Sequence, residues 1–173
     1  MVLESIYEAD FKDCSYGFRP KRSTHDALQR IMDVANNGRI YWVVDVDIQG
    51  YFVNIRHEKL MKLVEQRICD RKVLKLIRQW LTAGVMQEGR VQETTIGSPK
   101  GGVISPLLAN IYLHALDAIW EKRFQEVGTL VRYADDLVVL CHRKEHALQA
   151  IRVLKAVFAK LEPTINTEKS SSN

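Results

Sequence analysis

The sequence predicts an α+β fold: a small antiparallel β-sheet with helices packed on one face. Three observations predict it. Ile40 to Ile48 is rich in β-branched and aromatic residues, the composition of a strand, and a run this apolar reads as buried. Leu130 to Tyr133 and Leu137 to Cys141 are short apolar runs on either side of Ala134-Asp135-Asp136, a pattern that predicts a hairpin with acids at its bend. Elsewhere, apolar residues recur at helical spacing.

The elements follow in order. Phe11 to Pro20 is loop-like, with no preceding element expected to hold it. Ser23 or Thr24 is a good N-cap, and Leu28, Ile31, Met32 and Ala35 then share one helical face. Asn37-Gly38 ends that helix and turns the chain into the strand. Two helices come next. One carries Leu60, Leu63, Val64 and Ile68; the other is capped by Asp70, carries Val73, Ile77, Trp80 and Leu81, and ends near Gly84. Val85 to Ile96 suggests a hairpin turning at Glu88-Gly89-Arg90. After the loop Gly97 to Gly102, Ser105 as cap and Pro106 as first residue open a long helix. Leu108, Ile111, Tyr112, Ala115, Leu116 and Ile119 form its inner stripe. A final helix carries Leu148, Ile151, Leu154, Phe158 and Leu161, and a polar tail, Ser170 to Asn173, closes the chain.

A length of 173 residues suits one folding unit. Lys and Arg number 25 against 21 Asp and Glu, a net +4 that permits nucleic-acid binding without requiring it. Cys14, Cys69 and Cys141 are few, odd in number and without zinc-ligand spacing; they predict buried, reduced thiols. With no signal peptide and no long apolar run, the chain is expected to be cytoplasmic, with no membrane partner.

Chemistry is concentrated in the acids. Asp135 and Asp136 are adjacent between strong strand formers, where Asp is disfavoured. Two carboxylates about 4 Å apart repel by roughly 4 kcal/mol at an effective dielectric of ~20, and a divalent cation removes that repulsion. A polar hairpin turn would use the same residues. Asp45 and Asp47 interrupt the Val43-to-Ile48 run and share one face; a solvated edge would tolerate them, but burial on the other face favours a site. If the two acid-bearing strands lie side by side, their carboxylates converge. Oxygen-only ligands favour Mg²⁺ over Zn²⁺, and a pair of such ions suits phosphoryl transfer.

Five segments then match one family in order. Ser15-Tyr16-Gly17-Phe18-Arg19-Pro20 with Arg22 to Ala27, Asp47-Ile48-Gln49-Gly50-Tyr51-Phe52, Gly97 to Leu113, Tyr133-Ala134-Asp135-Asp136 and Asn166-Thr167-Glu168-Lys169 resemble the fingers-proximal and palm motifs of group II intron reverse transcriptases. The resemblance implies a polymerase palm over residues 39–173, preceded by a fingers-proximal segment, 1–38. Upstream fingers motifs and a thumb are not in the sequence, so a fragment or truncated copy is expected, weakly active or inactive alone. It implies an RNA-directed DNA polymerase that joins dNTPs to a DNA primer on an RNA template, with intron RNA as a further partner of the full-length protein. Two Mg²⁺ ions, replaceable by Mn²⁺, would be held by Asp47, Asp135 and Asp136 and the carbonyl of Ile48. Phe52 would stack under the nucleotide sugar, or else pack in the core. Lys100, Gly101 and Gly102 would touch nucleotide and template. Lys169 would lie near the nucleotide phosphates, or else on frayed surface. Arg19, Lys21 and Arg22 would meet template phosphates, or else form a solvated cluster; Asp45 would be structural, and His25 and His57 would help begin helices.

Two departures stand out. Val53 occupies a position where the family has Asp, and Lys100 one where it has Gln, a change that adds a charge and removes an acceptor. These favour one alternative, a non-enzymatic, RNA-binding, maturase-like remnant. A retron or defence-associated reverse transcriptase is the other.

Overall fold

The strands that carry the acids pair in the computed structural model, which describes residues 2–48, 56–82, 85–87, 90–92 and 104–161. In chain order the elements are α1 (Val2–Glu8), α2 (Thr24–Gly38), β1 (Trp42–Asp47), α3 (His57–Glu65), α4 (Arg71–Thr82), β2 (Val85–Gln87), β3 (Arg90–Gln92), α5 (Ser105–Arg123), β4 (Thr129–Tyr133), β5 (Asp136–Cys141) and α6 (Lys144–Leu161).

The main sheet has strand order β1-β5-β4, antiparallel throughout. β2 and β3 form a separate antiparallel pair, as the sequence predicts, but Arg90 stands opposite Gln87 within β3 rather than in the turn, and residues 93–96 of the predicted hairpin lie outside the described residues. Because side chains alternate along a strand, one sheet face presents Val44, Leu130, Leu137, Val139 and Cys141 to a single apolar core. α5 supplies Leu108, Tyr112 and Leu116 to that core, and α6 supplies Ala150, Leu154 and Phe158. The Tyr112 hydroxyl donates to the Leu161 carbonyl and ties the two helices together. α6 packs on β1 and β5, and α3 packs on α4 and α5. The α+β class and the small antiparallel sheet are as expected, but the helices are not confined to one face. α2 adds a layer against β4 and β5, the strands whose Val131 and Leu140 point away from the main core yet are buried.

Several local expectations need correction. α1 does precede the opening loop and anchors it: Tyr7 is buried, its hydroxyl donates to the Val64 carbonyl at 3.0 Å, and its own carbonyl accepts from the N–H groups of Asp10 and Phe11. β1 is an edge strand of the described sheet rather than a buried one; Val44 is buried, whereas Trp42 and Val43 are exposed. An apolar run does not by itself reveal how many faces are covered. α2 begins as predicted, with Ser23 and Asp26 forming a reciprocal capping box. Its inward line, however, is Ala27, Ile31, Val34 and Gly38, while Leu28 and Met32 stay more than half exposed. The small Ala27 is the buried residue of this helix, and the larger stripe turns outward. α5 starts one residue earlier than expected, with Ile104 as N-cap and no side-chain cap, and Ser105 lies inside the helix. Ile119 on its expected inner stripe is exposed. In α6, Leu148 is exposed and Ala147 and Val157 are buried instead.

Asp70 caps α4 as expected, its carboxylate accepting from the N–H groups of Lys72 and Val73 at 2.7 and 3.2 Å. Cys69 is exposed, contrary to expectation. Burial pushes the Cys14 thiol up to about 12 and the Cys141 thiol up to about 11, so neither is a thiolate near neutral pH. No described helix is long and apolar enough to cross a membrane.

Candidate active site

The β-ladder brings the acids together. Asp47 stands directly opposite Asp136 in the β1–β5 register, and Tyr133 stands opposite Asp136 on its other side. Asp135 lies in the tight turn between β4 and β5, and its carbonyl accepts from the Ile48 N–H at 3.2 Å. Ile48 is fully buried, which anchors the end of β1 beside that turn. Asp45 lies two residues back along the same face as Asp47, opposite Val138. Asp47 and Asp136 are exposed and Asp135 is half-buried. The predicted convergence of acids from two adjacent strands is therefore present in the backbone register.

Like charges facing across a ladder are unfavourable, and the electrostatics reflect this. Partial burial pushes the Asp136 carboxyl above the usual carboxylate range, and the charges of Asp135, Asp47 and Asp45 push it further. A carboxyl raised in the fold takes up its proton more readily there than in the unfolded chain. It therefore weakens the metal-free fold above its folded pKa, and the penalty vanishes as pH falls through that value. Asp136→Asn is accordingly expected to raise the melting temperature in EDTA at neutral pH, by about 2 °C at most for so exposed a group. The gain should disappear in acid. Thermal melts at both pH values check this, and a lower melting point at neutral pH would contradict it.

Among the described residues, no group of three or more His, Cys, Asp or Glu side chains is placed to hold a metal ion, so the acids meet in backbone register without their carboxylates being gathered into a ligand set. What the fold supplies is oxygen donors of the right charge on facing strand ends. That donor set suits a hard divalent cation, which would relieve the repulsion raising Asp136.

A buried polar network lies under the acidic turn, and nothing in the sequence reading singled it out. Arg132 on β4 is wholly buried. Its guanidinium donates to the Asp117 carboxylate (2.7–3.3 Å), to Asn110 Oδ1 at 3.0 Å, to Ser15 Oγ at 2.7 Å and to the Ala134 carbonyl at 2.9 Å. Asn110 in turn donates to the Gly17 carbonyl at 2.9 Å. The Arg132 backbone also pairs with the opening loop, donating to the Cys14 carbonyl and accepting from the Tyr16 N–H. Ala134 has φ 56°, in the left-handed region, and Gly17 packs so tightly on it that an added Cβ would lie 2.3 Å from the Ala134 nitrogen. Two signals were available in the sequence. Arg132 is a cation inside an apolar strand, and Asn110 and Asp117 stand seven residues apart, on one face of an otherwise apolar helix.

Of the cations expected at template phosphates, Arg19 is corrected. It is buried, ion-paired to Glu8 at 2.7 Å, donates to the carbonyls of Lys12 and Ser15, and lies over the Phe11 ring at 5.5 Å. Every arm of its guanidinium is engaged inside the fold. Arg22 is half-buried, ion-paired to Asp13 at 2.6 Å and set over the Tyr16 ring at 5.1 Å. Lys21 is exposed, with φ 61°. Phe52, Lys100, Gly101, Gly102 and Lys169 lie outside the described residues.

Comparison with known proteins bears on this geometry. The sequence profile of the family described as "Reverse transcriptase (RNA-dependent DNA polymerase)" matches residues 1–172. The chain is 48% identical over 117 residues to the group II intron-encoded protein LtrA of Lactococcus lactis subsp. cremoris, an alignment covering 68% of this chain and 19% of that protein. It is 44% identical over 135 residues to a 91 kDa protein in the cob intron of Schizosaccharomyces pombe, covering 76% of this chain and 16% of that one. Protein YkfC of Escherichia coli is 39% identical over 127 residues, covering 72% of this chain and 33% of that protein. The chain thus spans a third or less of these relatives. Among solved structures, telomerase from Candida albicans in complex with a fragment of telomeric RNA superposes with a TM-score of 0.73 at 14% identity, covering 97% of this chain and 34% of that one. Apo telomerase from Candida tropicalis, truncated from its C-terminal domain, gives 0.68 at 16% identity, covering 99% and 40%. At such identities the likeness shows a shared fold.

Proposed function

Because the chain belongs to the reverse transcriptase (RNA-dependent DNA polymerase) family, in its group II intron branch, we propose that it is the catalytic core of an RNA-directed DNA polymerase with its metal site at Asp47, Asp135 and Asp136. The observation that carries this is the register: Asp47 faces Asp136 across β1 and β5, while Asp135 is tied to Ile48 at the end of β1. Two Mg²⁺ ions bound there, or Mn²⁺ in their place, would supply activation of the attacking hydroxyl and stabilisation of the leaving pyrophosphate.

The residues of the chain have separate tasks in this scheme. Asp47 and Asp135 would hold the ions, Asp136 would complete the negative cluster, and the Ile48 carbonyl would be a further ligand. Tyr133 flanks Asp136 on the β4 side. In this reading Phe52 would lie under the sugar of the incoming dNTP, Lys100, Gly101 and Gly102 would contact nucleotide and template, and Lys169 would contact the nucleotide phosphates. Lys21 is the exposed cation for the template strand, and Arg22 can join it only by loosening its pair with Asp13. RNA template, DNA primer and intron RNA are the nucleic-acid partners of the longer protein. Within it, residues 1–38 form the fingers-proximal segment and 39–173 the palm.

The test is primer extension on an RNA template with Mg²⁺, using a longer protein that contains this chain. DNA synthesis is expected, and Asp135→Ala should abolish it while leaving RNA binding intact. Equal synthesis by wild type and variant would remove the site. RNA binding with no synthesis by either would instead point to a non-enzymatic, maturase-like role.

A further inference from the structure

Resting on the metal-site reading above, we propose that Arg132 is a positioning residue that sets Asp135 by gripping the backbone of the acidic turn. It is wholly buried and reaches the turn at the turn's own backbone. One arm of its guanidinium holds the Ala134 carbonyl at 2.9 Å, the carbonyl of the peptide whose nitrogen belongs to Asp135. The next carbonyl, that of Asp135, is held by the Ile48 N–H. The turn is thus clamped on consecutive peptides, one clamp coming from the core and the other from the strand that carries Asp47.

The clamp is needed because the turn is not at rest by itself. Ala134 holds a left-handed φ of 56°, which disfavours an L-residue by roughly 1–2 kcal/mol unless its surroundings enforce it. Gly17 presses on Ala134 from the loop side. Arg132 presses from the core, and its other donors are fixed by Asp117, Asn110 and Ser15, so its reach to Ala134 is set rather than free. A bare need for stability does not explain such a network, since buried ion pairs can often be replaced by apolar side chains without loss. The position of the carboxylate does explain it, because ligand geometry in a metal site depends on the shell that orients the ligands.

The test uses the whole chain, titrated with Mn²⁺ alone and followed by electron paramagnetic resonance, with thermal melts in EDTA alongside. Arg132→Lys keeps a cation beside Asp117 but cannot reach all four partners. It should weaken Mn²⁺ binding by about tenfold or more. Gly17→Ala should do likewise by a different route, because its new Cβ pushes directly on the Ala134 nitrogen while the Arg132 side chain itself is unchanged; it serves if Arg132→Lys does not fold. Leu81→Ala, a core truncation on α4, which packs on α3 rather than on the turn, should lower the melting temperature yet keep Mn²⁺ affinity within about twofold below that temperature. Unchanged Mn²⁺ affinity in Arg132→Lys and Gly17→Ala, with affinity lost in Asp135→Asn, would overturn the positioning role and leave the metal site standing. Unchanged affinity in Asp135→Asn would remove the metal site and this inference with it.

Discussion

Asp135→Asn and Asp47→Asn will each lower Mn²⁺ affinity beyond measurement by titration and reduce DNA synthesis in the longer protein by about 10³-fold or more. The substitution keeps the shape of the side chain and removes its charge. A site built from oxygen donors alone holds a hard cation chiefly through that charge. The remaining nearby acid, Asp45, lies two residues back along β1 opposite Val138, too far along the strand to replace an acid at the turn. The folded state should not suffer, because each substitution relieves like-charge repulsion where Asp135 and Asp47 raise Asp136. Melting temperatures in EDTA are therefore expected to hold or rise while metal binding collapses. Retained Mn²⁺ affinity in either variant would show that the acids are a solvated turn and edge. Loss of affinity together with a large fall in melting temperature would show that the substitution had broken the fold rather than the site.

The parts of this site that could be seen in the sequence are those fixed by local pattern. Two acids at a bend between apolar runs specify a hairpin, and alternation places Asp45 and Asp47 on one face, because side chains in a strand repeat every two residues. Capping is local too, so Ser23 and Asp70 were legible from sequence. The parts that were not legible depend on which surfaces meet. Helical spacing shows that Leu28 and Met32 share a face, but not that α2 would turn Ala27 inward. Arg19 beside a proline in a basic loop looks like a phosphate contact until Glu8, from a helix the sequence did not predict, appears next to it. The Arg132 network joins residues separated by up to 117 positions, and no periodicity links Ser15 to Arg132. A cation in an apolar strand signals only that some partner must exist, because a buried charge without one is too costly.

Asp117→Ala will destabilise the fold by about 3–5 kcal/mol, lowering the melting temperature by roughly 6–20 °C for a chain of this size. Asp117 and Arg132 are both wholly buried and paired at 2.7 Å. Removing the carboxylate leaves the guanidinium charged, out of water and short of the acceptor that takes two of its arms. The remaining partners, Asn110, Ser15 and the Ala134 carbonyl, are neutral, so they satisfy hydrogen bonds without balancing the charge. Removing both charges together is a different matter. An Arg132→Met, Asp117→Leu double variant should recover most of the lost stability, since apolar side chains of similar volume often match a buried ion pair. It should not recover Mn²⁺ affinity, because the Ala134 carbonyl then has no donor and the turn that carries Asp135 is held from one side only. Thermal melts and Mn²⁺ titrations on the two variants separate these effects. If Asp117→Ala costs less than about 1 kcal/mol, water reaches the pair and it is not a sealed ion pair. If the double variant regains stability and metal affinity together, the network serves the fold alone.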